Sequence, residues 1–468
     1  MKILIATDIY HPNVNGAAYF TYRLANDLAQ RGHDVSVICP SLSMQNTITI
    51  DKGVKVYGVH SIHLPVYEKF RISPLIISKR TINKLVEKIS PDIIHIQNHF
   101  IIGKAVTAMA KKLDIPIIGT NHFMPENLVH YFHMPIAIEK LLIKIGWKQC
   151  IKVFNQLDYV TTPTITAANL LKKAGYEKEI LPLSCGINLN KFKPTNDGLY
   201  LKERYHIPTN KKIILYVGRL DKEKRVETII QSLPIILKQI NAHLVLAGLG
   251  KERPKLENLT QKLNIGESVT FTGFIPDVDL ENVYHVGDVF VIAGVAELQS
   301  IVTMEALASG LPVVAVNAMA LPELVHDGEN GYLFDDGNSE MIANHIIKIL
   351  SNDTLKRSMQ EKSLEIIQTH AINKTLQAFE SIYDRVIKEH QKNSNYIPTW
   401  TPSKRIIAVC FTASVLLLVI FSSIIASKPE PKVFVRNELY ELTANAKYFF
   451  NDSFSPSEYF HEHKFKHL

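Results

Sequence analysis

Four charged side chains in the second half of the chain have the types and spacing that would serve a sugar and a diphosphate. The run Glu297-Leu298-Gln299-Ser300-Ile301-Val302-Thr303-Met304-Glu305 holds two carboxylates eight residues apart, the first in a polar loop and the second among apolar neighbours. A carboxylate in apolar surroundings is costly to bury unless a hydroxyl or a cation meets it, and a ribose would supply such hydroxyls to Glu305. Glu297, at the loop end, can bind a sugar hydroxyl in the same way, while the peptide N–H groups after it, at Leu298, Gln299 and Ser300, suit phosphates. Upstream, Tyr216-Val217-Gly218-Arg219-Leu220-Asp221-Lys222-Glu223-Lys224 runs from an apolar segment through glycine into two spaced cations. Arg219 offers a forked donor and Lys224 a point charge to one diphosphate, a pairing that stabilises a departing nucleotide without a metal. A solvated basic turn has the same composition, so this segment alone does not choose between the two.

Loops of this kind need a frame. Short runs rich in Val and Ile alternate twice with amphipathic segments, the pattern of parallel strands joined by crossover helices. The spacing predicts strands at Lys2–Ala6, Asp34–Cys39, Ile93–Ile96, Ile115–Gly119 and Tyr159–Thr162 in the first half. In the second half it predicts them at Lys212–Val217, His243–Ala247, Val269–Thr272, Val289–Ala293 and Pro312–Val316. Helices are expected over Ala17–Gln30, which Arg31-Gly32-His33 ends, and over Val226–Ile240, Ile301–Ser309 and Asn373–Glu389. The first strand is followed by the polar loop Asp8 to Gly16, where glycine lets the backbone approach a ligand and the helix start offers free N–H groups to phosphate. The GxGxxG pattern is absent, which argues against a nicotinamide or flavin dinucleotide.

The fold class is therefore α/β, with two Rossmann-like doubly wound domains facing a cleft. The first covers residues 1–183 and the second 195–372, with a hinge over 184–194 that Gly186 and Pro194 punctuate. A helix over 373–390 returns toward the first domain. Ligands of such sheets bind beyond the carboxyl ends of the strands, so the site is expected between the domains.

The 468 residues exceed what one core accommodates, and 46% hydrophobic with 21% charged residues is globular composition. The formal charge of +7 favours anionic partners such as nucleotides, phosphates and acidic lipids. Scattered basic residues and the lack of a nucleic-acid-binding motif argue against nucleic acid. Cys39, Cys150, Cys185 and Cys410 are far apart and show no metal-ligand spacing, so no metal is expected. After a linker over 391–405, Ile406–Ala426 contains no charged residue and lies between Lys404-Arg405 and Lys428, which predicts a single membrane span with a tail over 427–468. The segment Glu139 to Lys152 interleaves four lysines with Leu, Ile and Trp, and is compatible with an anionic membrane surface or with an ordinary lysine-edged core helix. The stretch Lys69 to Lys88 is a weaker case of the same kind.

Over about residues 1–390 the chain resembles the retaining GT-B glycosyltransferases of family four. The resemblance is carried by Gly16 with Arg31-Gly32-His33-Asp34-Val35, by Gly218-Arg219-Leu220 to Lys224, by the Glu297 and Glu305 pair, and by Ala308-Ser309-Gly310-Leu311-Pro312-Val313-Val314. It implies that Arg219 and Lys224 grip a donor diphosphate, that Glu297 contacts the donor sugar and that Glu305 contacts the ribose. It also implies that His122, in Gly119-Thr120-Asn121-His122-Phe123-Met124-Pro125-Glu126-Asn127, stands beside the donor sugar, and that Glu126 helps to bind the acceptor. By its residues alone His122 reads as a structural histidine. Many relatives carry Gly where this chain has Ser300, so donor specificity does not transfer, and Gln299 after a Glu resembles the pattern of members that glycosylate diacylglycerol. The implied reaction moves a hexose, with retention and without a metal or other cofactor, from a UDP- or GDP-linked donor to a lipid or lipid-linked acceptor. The catalytic domains would then lie in the cytoplasm, held at the cell membrane. A transferase for soluble or polysaccharide acceptors, a nucleotide-sugar epimerase on the same fold and a non-enzymatic membrane scaffold are the alternatives.

Overall fold

In the computed structural model, residues 1–13, 15–64, 67–126, 135–194 and 198–393 are described. The β-branched runs form the strands, because Val and Ile pack well on a pleated surface buried on both faces. The first sheet is built from β1 (Lys2–Ala6), β2 (Asp34–Pro40), β3 (Thr47–Asp51), β4 (Val54–Val59), β7 (Ile93–Ile96), β8 (Ile117–Thr120), β9 (Tyr159–Thr162) and β10 (Leu181–Pro182). A separate hairpin pairs β5 (Ile62–Leu64) with β6 (Tyr67–Ile72). The second sheet contains β11 (Lys212–Val217), β12 (Ala242–Ala247), β13 (Val269–Gly273), β14 (Val289–Ile292), β15 (Val313–Val316) and β16 (Gly331–Phe334).

The first sheet has the order β10-β9-β8-β7-β1-β2-β4-β3 and the second β13-β12-β11-β14-β15-β16. All neighbours run parallel except the edge strand β3, which is antiparallel to β4. Ile3 faces Val35 on one side and Ile93 on the other, and Leu215 lies between Val245 and Phe290. In each sheet the strand order turns back beside its first strand, between β1 and β7 and between β11 and β14. Successive crossovers leave in opposite directions there and open a crevice beyond the strand ends.

The two-residue period of β1 divides the core. Ile3 and Ile5 pack with Phe20, Leu24 and Leu28 of helix α1 (Gly16–Gln30), while Leu4 and Ala6 pack with Ile82, Val86, Ile102 and Val106 on the opposite face. The chain crosses between the sheets twice, and the two crossings pair. Ile187 donates its N–H to the His370 carbonyl and accepts from Ile372, both at 2.8 Å. Beyond this bridge the helix Ile372–Asn393 lies against the first sheet. Its Phe379 ring is 6.2 Å from Phe20 and 5.2 Å from His95, and the Tyr383 hydroxyl is 2.8 Å from His95 Nδ1. Glu380 meets Arg31 at 2.8 Å and His33 at 3.0 Å.

The ten strands expected from sequence all form, each end within two residues of its expected place. The hairpin β3–β4, the hairpin β5–β6, the two-residue β10 and β16 were not anticipated. The helix expected to reach Ile240 ends at Leu237, where the last turn tightens and Gln239 donates to Ile236 three residues back. Among the described residues no helix is long and apolar enough to cross a membrane; the stretch 406–426 lies outside them.

Candidate active site

The switch point of the second sheet brings the first pair of charges together. At the end of β11, Gly218 has φ +156°, and a Cβ there would meet the Tyr216 hydroxyl at 2.8 Å. On the adjoining loop a Cβ on Gly248 would lie 2.0 Å from the Gly218 carbonyl oxygen, so the two loops touch backbone to backbone and any side chain would part them. The chain then turns through Arg219 to Lys224 and enters the helix Val226–Leu237. From the neighbouring β14 it passes through Glu297 into the helix Ile301–Ala308. Lys224 Nζ and Glu297 Oε1 meet at 2.5 Å, with both side chains mostly buried.

Tyr216 lies beneath this pair. Its hydroxyl donates to the Arg219 carbonyl at 2.8 Å, and burial, followed by the Glu297 charge, raises its pKa far above the ordinary tyrosine value, so it remains a donor. The Arg219 guanidinium is held by carboxylates of its own loop, Asp221 and, at 2.8 Å, Glu223. The structure thus joins Lys224 to Glu297 and places Arg219 on the same turn with its charge shared by two acids. From the sequence alone, Asp221 and Glu223 were assigned no role. Their positions two and four residues after the arginine were the available signal.

Glu305 lies little more than one helical turn beyond the loop and is buried. The Tyr284 hydroxyl donates to Oε2 at 2.5 Å. Burial raises its pKa to about 7, against the lowering effects of the Tyr284 hydrogen bond and the charges of Arg23 and Lys191. Arg23 belongs to α1, so the first domain reaches toward Glu305; its guanidinium donates to the carbonyls of Cys185 and Gly186 at 2.6 and 2.5 Å. The starts of the two helices also meet. A Cβ on Gly16 would lie 3.7 Å from Ile301 Cδ1. Asn15 caps α1 by accepting from Ala18 at 2.8 Å, whereas Ser300 enters its helix at φ +56° with its hydroxyl 2.8 Å from that of Thr303. Two helix N-termini converging from opposite domains favour an anion between them.

The loop between Glu297 and Ser300 is fixed from outside its own domain. The Thr164 hydroxyl donates to the Leu298 carbonyl at 2.8 Å, and the Gln299 side chain is turned to the first crossing between the sheets, where Oε1 accepts from the Cys185 N–H at 2.7 Å. Glu323 of the second domain accepts from Ile165 and Thr166 at 3.1 and 2.7 Å, capping the helix Ile165–Lys173 of the first. His122, beyond β8, sits on the first-domain side, 4.8 Å from the Phe20 ring and with Nε2 3.1 Å from Gln97 Oε1. Burial lowers its pKa to about 4, so the ring is neutral; with Nε2 donating to Gln97, Nδ1 is left as an acceptor. Glu126 accepts from Trp147 Nε1 at 3.0 Å.

Two family models match the chain, Glycosyltransferase Family 4 over residues 14–191 and Glycosyl transferases group 1 over 201–365. The alpha-monoglucosyldiacylglycerol synthase of Streptococcus pneumoniae is 30% identical over 379 residues, which cover 78% of this chain and 82% of that protein. The chain belongs to glycosyltransferase family four. As a member it is a hexosyltransferase with the GT-B fold. The synthase of the same name from Acholeplasma laidlawii is 26% identical to this glycosyltransferase over 409 residues, 84% of this chain and 100% of that one. Among solved structures, sucrose-phosphate synthase from Thermosynechococcus elongatus superposes with a TM-score of 0.71 at 20% identity, covering 83% of this chain and 100% of that one, a likeness of fold. Tyr216 and Tyr284 are the neighbours of the glycosyltransferase's charged residues that sequence reading passed over. Both lie in apolar segments where a tyrosine reads as core.

Proposed function

We propose that the enzyme transfers a hexose, with retention of anomeric configuration, from a UDP- or GDP-linked donor to a lipid or lipid-linked acceptor. The observation that carries the donor half is the Lys224–Glu297 pair at the switch point of the second sheet, where an anion and a sugar hydroxyl each find an opposite partner. In this reading the diphosphate takes up the charge of Lys224 and shares Arg219 with Asp221 and Glu223. Glu297 receives a hydroxyl of the sugar and Glu305 the ribose, with Tyr284 holding the second carboxyl oxygen. The acceptor hydroxyl attacks the anomeric carbon on the face from which the nucleotide departs. As the new C–O bond forms and the old one breaks, its proton passes to the departing phosphate oxygen, the nearest base on that face. The charge of the leaving group is met by the two cations and the helix starts, without a resident metal. Neutral His122 would accept a sugar hydroxyl at Nδ1.

The lipid half is supported by the names of the similar synthases and by the surface of the first domain. The helix Ile136–Phe154 exposes Ile136, Ile138 and Leu141 beside Lys140 and Lys144, and the helix Leu75–Ile89 exposes Ile76 and Ile77 beside Lys79 and Arg80. Apolar residues edged by lysine suit an anionic bilayer surface. The uncharged stretch Ile406–Ala426 would anchor the enzyme there as a single span, with the catalytic domains in the cytoplasm.

Incubation with UDP- and GDP-hexoses and vesicles containing diacylglycerol tests the reading. The expected product is a glycolipid whose anomeric proton has the donor's configuration by NMR. Inversion removes the retaining mechanism, transfer only to soluble sugars removes the lipid acceptor, and an epimerised free sugar identifies an epimerase. Glu305→Ala is expected to weaken nucleotide binding at least about tenfold, since it leaves hydroxyl groups without a buried acceptor. Unchanged affinity excludes Glu305 from the ribose.

A further inference from the structure

Gln299 is buried in the donor loop, yet both ends of its amide are used by the hinge. Oε1 accepts from the Cys185 N–H at 2.7 Å and Nε2 donates to Ser184 Oγ at 2.9 Å. Ser184 is a junction of three parts of the chain. Its hydroxyl also accepts from the Gly186 N–H at 3.1 Å, which fills both acceptor positions. Its own proton then goes to His370 Nδ1 at 2.8 Å in preference to the Met304 sulfur at 3.8 Å. His370 opens the second crossing between the domains, and its carbonyl is the group that pairs with Ile187 of the first. One glutamine therefore ties the loop bearing Glu297 to both crossings at once.

We propose that Gln299 is a positioning residue that fixes the donor loop to the interdomain pivot, so that nucleotide binding and domain closure are one event. On either side of it, Glu297 is held by Lys224 and the Leu298 carbonyl by Thr164 of the opposite domain. With its middle clamped to the pivot, the loop has its binding geometry only when Thr164 is in place, that is, when the domains are closed. An apolar side chain at 299 would fill the same space and transmit nothing, leaving the Cys185 N–H without its partner and one acceptor position of the Ser184 hydroxyl unfilled.

This inference rests on the donor site proposed above, and its test separates the two. Full-length protein, wild type and Gln299→Ala, is titrated calorimetrically with UDP and GDP alone. Its radius of gyration is measured by small-angle scattering with and without the nucleotide that binds. Wild type is expected to bind and to become more compact. Gln299→Ala, which removes both hydrogen bonds, is expected to bind at least about tenfold more weakly, a factor that one buried hydrogen bond would already account for, and to compact less. In turnover assays the change should appear in the donor KM more than in kcat. Ser184→Ala removes the Gln299 Nε2 bond from the other side, together with the Gly186 and His370 contacts, and is read in the same way if Gln299→Ala does not fold, while Ser184→Thr keeps the hydroxyl and should restore affinity. Wild-type affinity and compaction in Gln299→Ala or Ser184→Ala, even with a lowered Tm, overturn the coupling and leave the donor site standing. A wild type that binds neither nucleotide overturns the donor site itself, and the coupling with it.

Discussion

At Glu305 burial opposes the pull of nearby charge and of a hydrogen bond. Its carboxyl lies between Tyr284 and the field of Arg23, and burial holds its pKa at about 7 against an ordinary value of 4.5. Between these values the native protein keeps a proton that the unfolded chain has lost. Stability therefore falls as pH rises from about 4.5 to about 7, and the full penalty, about 3 kcal/mol, persists above that range. Glu305→Gln removes the titration while keeping the shape. The melting temperature of the variant minus that of wild type should be small near pH 5 and grow by several degrees by pH 8, measured by calorimetry without nucleotide. Parallel curves would show that the carboxyl is ionised throughout. A group kept at this disadvantage is consistent with binding, because a ligand hydroxyl restores hydrogen bonds that the folded protein lacks. His122 differs, since burial makes it neutral across the whole working range and leaves it only hydrogen-bonding roles.

Among the elements, the helix Ile372–Asn393 joins the two halves. Phe379 is fully buried between Phe20 and His95, and Glu380 and Tyr383 extend the contact along the same face. Phe379→Ala is expected to cost about 3–5 kcal/mol of stability, read as a lower denaturant midpoint, because the cavity opens where two elements distant in sequence meet. Removing Arg31 from its partly exposed pair with Glu380 should cost at most about 1 kcal/mol. The strands were legible because Val and Ile runs at β1, β11 and β14 are buried on both faces, and both switch points follow from their order. The hairpin β3–β4 was missed since β3 is an edge strand, with Ile48 and Ile50 exposed, and its turn at Lys52-Gly53 separates two short runs. Strand β16 is four residues beginning with glycine, too little to show a period. In the site, residue type and spacing singled out Lys224, Glu297 and Glu305, and the family resemblance supplied their roles. The turning of Gln299 to Ser184, 115 residues away, left no local signal. The departure at Ser300 has a structural form too, for this serine holds the left-handed φ that glycine adopts freely.

At the scale of the whole molecule, the described residues belong to one compact unit, Met1–Ile397, that contains both sheets and the two crossings. Everything proposed to hold the donor lies within it, while the proposed attachment to lipid would have two separable sources. One is the lysine-edged apolar surface around Ile76, Ile136 and Leu141, and the other is the uncharged stretch Ile406–Ala426. They differ in their response to salt. Attraction between exposed lysines and anionic lipid is screened within about 8 Å at physiological ionic strength and weakens further as salt is added, whereas burial of some twenty apolar residues in hydrocarbon does not. The full chain should therefore stay with membranes through a high-salt and alkaline wash. A chain ending at Asn393 should melt cooperatively and bind nucleotide within about twofold of the full chain, as an intact donor site requires. It should float only with vesicles containing acidic lipid and be released by salt. Release of the full chain by salt would remove the span and leave the surface helices as the only attachment. Retention of the shortened chain after the same wash would place the anchor within the first 393 residues.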